Sequence, residues 1–256
     1  MMRIRVLGCS GGISAGARTS SLLIDDDILL DAGTGVGDLS LAELARIRHV
    51  FLTHSHIDHI ASLPLLVDSL FSGLNGDIVT VHARAETIDA LRTHIFNDVI
   101  WPDFTLLPNA ESAVMRYAVC NPGDTVEIGE RSFTAVAVEH TVPSQGYVLR
   151  NCGCAFAISG DTSSNKTLWP HLNAVENLKA LIVEVSFPNE LAELARDSGH
   201  YVPLTMAEDL NQLQHEPEIW LNAMKPGAEE TILRQVRDLL PDRGVRVLEL
   251  GTTFEI

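Results

Sequence analysis

The chain has 256 residues, enough to bury a large core, and a single α/β domain spanning 1–256 is the expectation. Hydrophobic residues make up 46%, which excludes a disordered chain. The formal net charge of −16 argues against a nucleic-acid surface, which needs a basic footprint, but it leaves room for a small anionic substrate where bound metal ions dominate the local field.

The first predicted element is a strand, Arg3-Ile4-Arg5-Val6-Leu7. No apolar leader precedes it and no run reaches transmembrane length, so a cytoplasmic location without a membrane partner is the default expectation. Gly8-Cys9-Ser10-Gly11-Gly12 follows. It lacks the Lys-Ser/Thr of a phosphate loop and reads as a tight turn, with a substrate contact through N–H groups around Ser10 as the second reading. Ser21–Ile24 and Ile28–Asp31 form a hairpin, with Asp25-Asp26-Asp27 at its exposed tip. Asp31-Ala32-Gly33-Thr34-Gly35 comes next, then a short amphipathic helix over 40–47. Val50-Phe51-Leu52 ends a buried strand and runs into Thr53-His54-Ser55-His56-Ile57-Asp58-His59. From Ile60 to Phe71 the apolar residues recur at helical spacing. His54, His56, Asp58 and His59 therefore sit on a strand-to-helix turn, where side chains converge on one point. Imidazoles with a carboxylate suit a divalent ion such as zinc, with manganese or iron as alternatives.

Ile78–His82 reads as a strand whose terminal His82 is structural or solvated, and Glu86–Phe96 as a helix. The aromatic-rich segment from His94 to Phe104 would stiffen a lid or a dimer contact, although such segments are more often core. Thr125–Ile128 and Phe133–Val138 are strands around Gly129-Glu130, the second leading into His140. Ala155–Ser159 leads into Gly160-Asp161-Thr162, and Leu181–Val183 into Glu184. His200 lies in Ser198-Gly199-His200. A helix over 204–214, a strand within Ile219–Gly227, a helix over 228–239 and a strand from Val245 to Leu250 complete the order. Cys9, Cys120, Cys152 and Cys154 show no Cys-x-x-Cys spacing and read as reduced structural thiols.

The string His54-x-His56-x-Asp58-His59 resembles the metal-binding motif of the metallo-β-lactamase superfamily. The resemblance runs along essentially the whole chain. It implies a four-layer αββα sandwich, α+β in class, with two mostly antiparallel sheets, outer helices and metals at one edge. It implies that His54, His56 and His140 bind one zinc ion, that Asp58 and His59 bind a second, and that Asp161 bridges the two. Asp31, in an Asp-x-Gly element, would brace the metal loop from behind.

His94-Ile95-Phe96-Asn97 with Trp101-Pro102-Asp103-Phe104 resembles one branch, the class II cyclic-nucleotide phosphodiesterases. The Glu184 and Gly199-His200 elements resemble the phosphodiesterase branches too. What this implies is hydrolysis of 3′,5′-cyclic nucleotides (cAMP or cGMP) to 5′-nucleotides by a hydroxide held between metals and by Asp58 and Asp161. His200, oriented by Glu184, would protonate the departing 3′ oxygen. Family analogy also makes a homodimer plausible. Related transfer-RNA 3′-processing nucleases commonly carry an RNA-grasping arm between the counterparts of His140 and Asp161, where this chain has room only for a hairpin. A nuclease, a lactonase and a thioesterase are the alternative hydrolases. The chain departs from the family pattern at Ala223, two residues before Lys225-Pro226, where the final metal histidine is expected. A methyl group binds no metal and the amide of Asn222 is a poor ligand, so the second site is expected to be weakened. A catalytically impaired ligand-binding variant is the further alternative.

Overall fold

The structure, a computed structural model, describes residues 2–71 and 78–255. The first sheet contains β1 (Arg3–Gly8), β2 (Ser21–Ile24), β3 (Ile28–Leu30), β4 (His49–Phe51), β5 (Val79–Ala83) and β6 (Met115–Val119) in that spatial order. The second contains β7 (Thr125–Ile128), β8 (Arg131–Val138), β9 (Ser144–Asn151), β10 (Cys154–Ile158), β11 (Leu178–Glu184), β12 (Glu218–Asn222) and β13 (Val245–Val247), also side by side. The last strand, β14 (Thr253–Glu255), crosses back to pair with β1.

The central strands are apolar on both faces because both faces are covered. In β11, Ala180 and Ile182 point between the sheets while Leu181 and Val183 point at helices. The inter-sheet layer includes Ile4, Val6, Phe51, Phe133 and Phe156. Phe51 stacks on Phe133 across the two sheets with ring centroids 4.3 Å apart, a contact worth about 0.5–1.5 kcal/mol beyond its buried area.

Outside the first sheet lie α1 (Leu41–Leu44), α2 (Ile57–Ile60), α3 (Leu63–Phe71) and α4 (Ala85–His94). Outside the second lie α5 (Leu168–Asn173), α6 (Ala192–Ser198), α7 (Pro203–Leu210) and α8 (Glu229–Leu239). Leu63, Leu66, Val67 and Leu70 of α3 pack on Val50 and Val81, and Met206, Leu210, Ile232 and Val236 of α7 and α8 join Leu181 and Val183. The four-layer αββα sandwich is therefore the fold.

Both sheets are mixed, not mostly antiparallel as expected. β3 through β6 run parallel, as do β10 through β13, and only the remaining pairs are antiparallel. The reason is that helices lie between these strands in sequence, as parallel crossovers require.

Several boundaries move. The helix expected over 40–47 stops at Leu44 after a capping box between Ser40 and Glu43. The helix expected from Ile60 starts at Leu63 as α3, with α2 a separate turn ahead of it, and that over 204–214 ends at Leu210. The strand expected over Val245–Leu250 ends at Val247, and a turn at Gly251 (φ +80°) separates it from β14. The acidic tip of the first hairpin is not simply exposed. Arg131, at the start of β8, bonds Asp25 at 2.8 Å and both oxygens of Asp27 at 2.7 Å, so the run clamps one sheet to the other. Phe96 and Phe104 of the aromatic segment are core, whereas Val99 and Ile100 are exposed. His82 is buried, stacked on Phe51 and hydrogen-bonded to His49, a structural histidine. Among the described residues, no helix is long and apolar enough to cross a membrane.

Candidate metal centre

Parallel pairing puts the C-terminal ends of several strands at one edge of each sheet, where α/β proteins collect their functional side chains. The segment after β3 carries Asp31, and that after β4 carries Thr53 and His54. In the second sheet, the segment after β8 carries His140, that after β10 carries Asp161, and β11 ends on Glu184. Leu30 pairs with Phe51, which sets Asp31 beside Thr53. Asp31 itself has φ +56°, a left-handed geometry that aspartate tolerates better than most residues.

Asp31 fixes the loop. Its Oδ1 accepts the Thr53 backbone N–H at 2.8 Å, and its Oδ2 accepts the Thr53 hydroxyl at 2.9 Å and His59 Nδ1–H at 2.7 Å. The single hydroxyl proton of Thr53 being spent on Asp31, Thr53 Oγ1 accepts from His54 Nδ1 at 3.0 Å. His140 Nδ1 donates to the Gly199 carbonyl at 2.8 Å. These bonds leave the lone pairs of His54 and His140 on Nε2, and turn Nε2 of His59 toward Asp161. Carbonyl and carboxylate partners behind ligating imidazoles serve this end at metal sites generally.

The freed nitrogens converge. Ring atoms of His54, His56 and His140 lie within 4.8 Å of one another, as do ligand atoms of His54, His59 and Asp161 and of His140, Asp161 and His200. His59 Nε2 is 3.3 Å from Asp161 Oδ2. Asp58 stands at the rim, partly exposed, with Oδ2 4.0 Å from His59 Nε2, outside the three tight groups.

This arrangement fits a divalent cation. His54 Nε2 is buried with no hydrogen-bond partner among the described residues. His140 Nε2 faces His56 Nδ1 at 3.1 Å, so two ring nitrogens point at the same space. Burial pushes the His54 and His56 pKa values below the ordinary range, with neighbouring imidazoles adding to it at His54, and holds His140 at about 4. Metal ligation needs the neutral imidazoles that result. Burial works against a charged Asp161, but His59 and then His54 and His200 overcome it, keeping its carboxyl well below the usual range. Burial likewise opposes charge on His59, and Asp161 and Asp31 reverse this, raising its pKa well above the ordinary value.

Glu184 and His200 meet beside the cluster. His200 Nδ1 donates to Glu184 Oε1 at 2.8 Å and lies 3.9 Å from Asp161 Oδ2. The same Oε1 accepts backbone N–H groups of Thr162 at 3.1 Å and Tyr201 at 3.3 Å. His200 follows Gly199, the left-handed C-cap of α6, and lies just ahead of α7, which begins at Pro203. Burial disfavours the charged form of His200, but Glu184 and Asp161 outweigh it and raise its pKa; burial raises that of Glu184 in turn.

Ala223 is buried after β12, with φ +61°. Its N–H donates to the Cys9 carbonyl at 3.0 Å and its carbonyl accepts Ser186 Oγ at 3.0 Å. The turn around Ser10 is structural. The N–H groups of Cys9 and Ser10 donate to Arg18 O and that of Gly11 to Met224 O, so these donors are not offered to a substrate. A Cβ on Gly11 would meet the Ala223 carbonyl at 2.2 Å, which explains the glycine there.

Sequence reasoning missed Thr53 and Gly199. Thr53 adjoins the motif and faces Asp31, a legible signal. Gly199 acts through its carbonyl, which no residue type reveals. It has φ +71°, and a Cβ there would lie 2.9 Å from His140 Nδ1.

A profile described as a beta-lactamase superfamily domain matches residues 27–220. Over 250 residues the chain is 28% identical to a probable 3′,5′-cyclic-nucleotide phosphodiesterase of Yersinia pestis, covering 81% of this chain and 71% of that protein. A ribonuclease Z of Haloarcula marismortui is 29% identical over 155 residues, 58% of this chain and 47% of that one. Unliganded yeast PDE1 superposes with a TM-score of 0.85 at 19% identity, covering 100% of this chain and 99% of the other, which is a likeness of fold.

Proposed function

The chain belongs to the beta-lactamase superfamily and is a hydrolase of that superfamily, and from this premise we propose that it is a metal-dependent phosphodiesterase converting 3′,5′-cyclic nucleotides to 5′-nucleotides. The observation that carries the reading is the Glu184–His200 pair set 3.9 Å from Asp161, a proton donor beside a cation-binding cluster.

His54, His56 and His140 would hold one ion, and His59, Asp161 and Asp58 a second. Divalent ions bound there would supply Lewis acidity, lowering the pKa of a water and neutralising charge on the phosphate oxygens. Asp58, the least buried carboxylate of the group, orients the attacking water. Asp31 acts through the loop, fixing Thr53 and His59 in place. Glu184 holds the Nδ1–H of His200 and leaves Nε2 for the substrate. His200 in its protonated form gives a proton to the 3′ oxygen as the bond from phosphorus to that oxygen breaks. The water oxygen bonds to phosphorus opposite the departing 3′ oxygen and its proton passes to solvent, from which His200 is reprotonated, so the products are a free 3′ hydroxyl and a 5′ phosphate. Such proton transfer contributes about 10²–10⁴-fold to rate.

Three features support a small substrate. The segment between His140 and Asp161 folds as the β9–β10 hairpin, without an RNA-grasping arm. The chain is strongly acidic, at −16. The phosphodiesterase relative aligns over more of the chain than the ribonuclease Z does, 81% against 58%. The test is side-by-side turnover of cAMP, bis(p-nitrophenyl) phosphate, an acyl lactone and a precursor transfer RNA by the zinc- or manganese-loaded chain. Preferential cAMP turnover is expected. Cleavage of the RNA or the lactone with cAMP untouched would overturn the reading.

A further inference from the structure

Ser186 lies just beyond β11 and is fully buried. Its backbone joins two segments: its N–H donates to the Tyr201 carbonyl at 3.2 Å, and its carbonyl accepts the Lys225 N–H at 3.1 Å. Its side chain joins the same two. The hydroxyl donates to the Ala223 carbonyl at 3.0 Å, and Oγ lies 3.3 Å from His200 Nδ1. A hydroxyl has one proton, and here the carbonyl takes it, so Oγ accepts from His200 Nδ1–H. That N–H is therefore shared between Glu184 Oε1 at 2.8 Å and Ser186 Oγ at 3.3 Å. A serine, a histidine and a glutamate within hydrogen-bond reach are also the parts of a nucleophilic triad. This set is not one: the serine and the carboxylate meet the same ring nitrogen, whereas a triad places them on opposite ones, and Ser186 is closed to solvent.

We propose that Ser186 is a second positioning residue for His200, holding its Nδ1–H beside Glu184 and tying the ring to the backbone turn at Ala223. This rests on the phosphodiesterase reading given above, in which His200 protonates the 3′ oxygen. An imidazole hinged on one acceptor can still swing about it. A second acceptor, carried by a residue whose backbone is anchored on both sides, removes that freedom and keeps Nε2 aimed at the leaving oxygen. The Glu184 contact is shorter and involves a carboxylate, so it is the stronger of the two. Losing Ser186 Oγ therefore costs less than losing the Glu184 carboxylate.

The experiment compares two phosphodiesters on the zinc-loaded full chain. The 3′ oxygen of cAMP is a poor leaving group that needs the proton, whereas p-nitrophenolate leaves bis(p-nitrophenyl) phosphate without one. Ser186→Ala should lower kcat for cAMP about tenfold with KM little changed, and lower turnover of bis(p-nitrophenyl) phosphate by less than about twofold. In proton NMR, the His200 Nδ1–H resonance, identified by its absence from His200→Gln, should shift and exchange faster with water. Ser186→Cys keeps the size and a weak acceptor, so it should show the same split to a smaller degree, and it serves if the alanine variant does not fold. Unchanged cAMP turnover, an equal fall on both substrates, or an unmoved resonance would overturn the proposal. No turnover of cAMP by the unmodified chain would overturn the phosphodiesterase reading instead, and the resonance would still decide whether Ser186 holds the imidazole.

Discussion

The hydroxyl of Thr53 settles the tautomer of His54. Its one proton goes to Asp31, so it accepts the Nδ1–H and leaves Nε2 as the buried lone pair. Thr53→Val keeps the shape and removes that acceptor. Metal affinity should then fall about 10- to 100-fold, measured by competition with a chelator, with the far-ultraviolet circular dichroism unchanged. Glu184 makes a different prediction. Glu184→Gln leaves metal content intact but loosens His200, and phosphodiester turnover should fall about 10²–10⁴-fold in kcat. Equal kcat would remove Glu184 from the proton-transfer assignment. At this scale the candidate site was largely legible, because His54, His56, Asp58 and His59 crowd one strand-to-helix turn, while His140 and Asp161 were reached through the resemblance that this string carries. The carbonyl of Gly199 did not, since a backbone acceptor has no signature in residue type. Nor did the sequence place Asp58 at the rim, because that depends on how α2 is rotated relative to the loop.

At the level of elements, the parallel halves of the sheets matter most. They bring the ends of β3, β4, β10 and β11 to the edges where the cluster forms, and β8, antiparallel to β9 as β10 is, ends on the same side. The order of apolar runs was readable from sequence, whereas strand direction was not, because a doubly buried strand looks alike either way. The acidic hairpin tip was misread for a related reason: its partner, Arg131, is remote in sequence. Burial opposes a charged Asp27, but the Arg131 guanidinium reverses this and lowers its pKa. A carboxylate depressed in the folded state stabilises above its unfolded pKa, about 3.9, and that contribution is lost as pH falls through the folded value. Arg131→Met should cost about 1 kcal/mol near neutrality, the clamp being part-exposed. Below about pH 4 the unmodified chain should lose stability more steeply than the variant, as read by urea unfolding across pH. Parallel pH curves would refute the clamp.

Across the whole molecule, two sheets press three apolar layers together, one between the sheets and one under each set of helices. Leu181 is fully buried in the layer beneath α7 and α8. Leu181→Ala should cost about 2–5 kcal/mol in unfolding free energy, and a loss below about 1 kcal/mol would mean that the layer collapses around the gap. The same packing holds the strand ends in register, so function depends on it. That architecture was foreseeable from the order of apolar runs and from the resemblance carried by the motif; the left-handed backbone at Ala223, set by contacts to Cys9 and Ser186, was not. The most direct test of the central claim is the product formed from cAMP by the metal-loaded chain, followed by phosphorus NMR. The account predicts 5′-AMP, the outcome of protonation at the 3′ oxygen by His200. Formation of 3′-AMP, or no turnover by a chain shown to hold its metals, would contradict it.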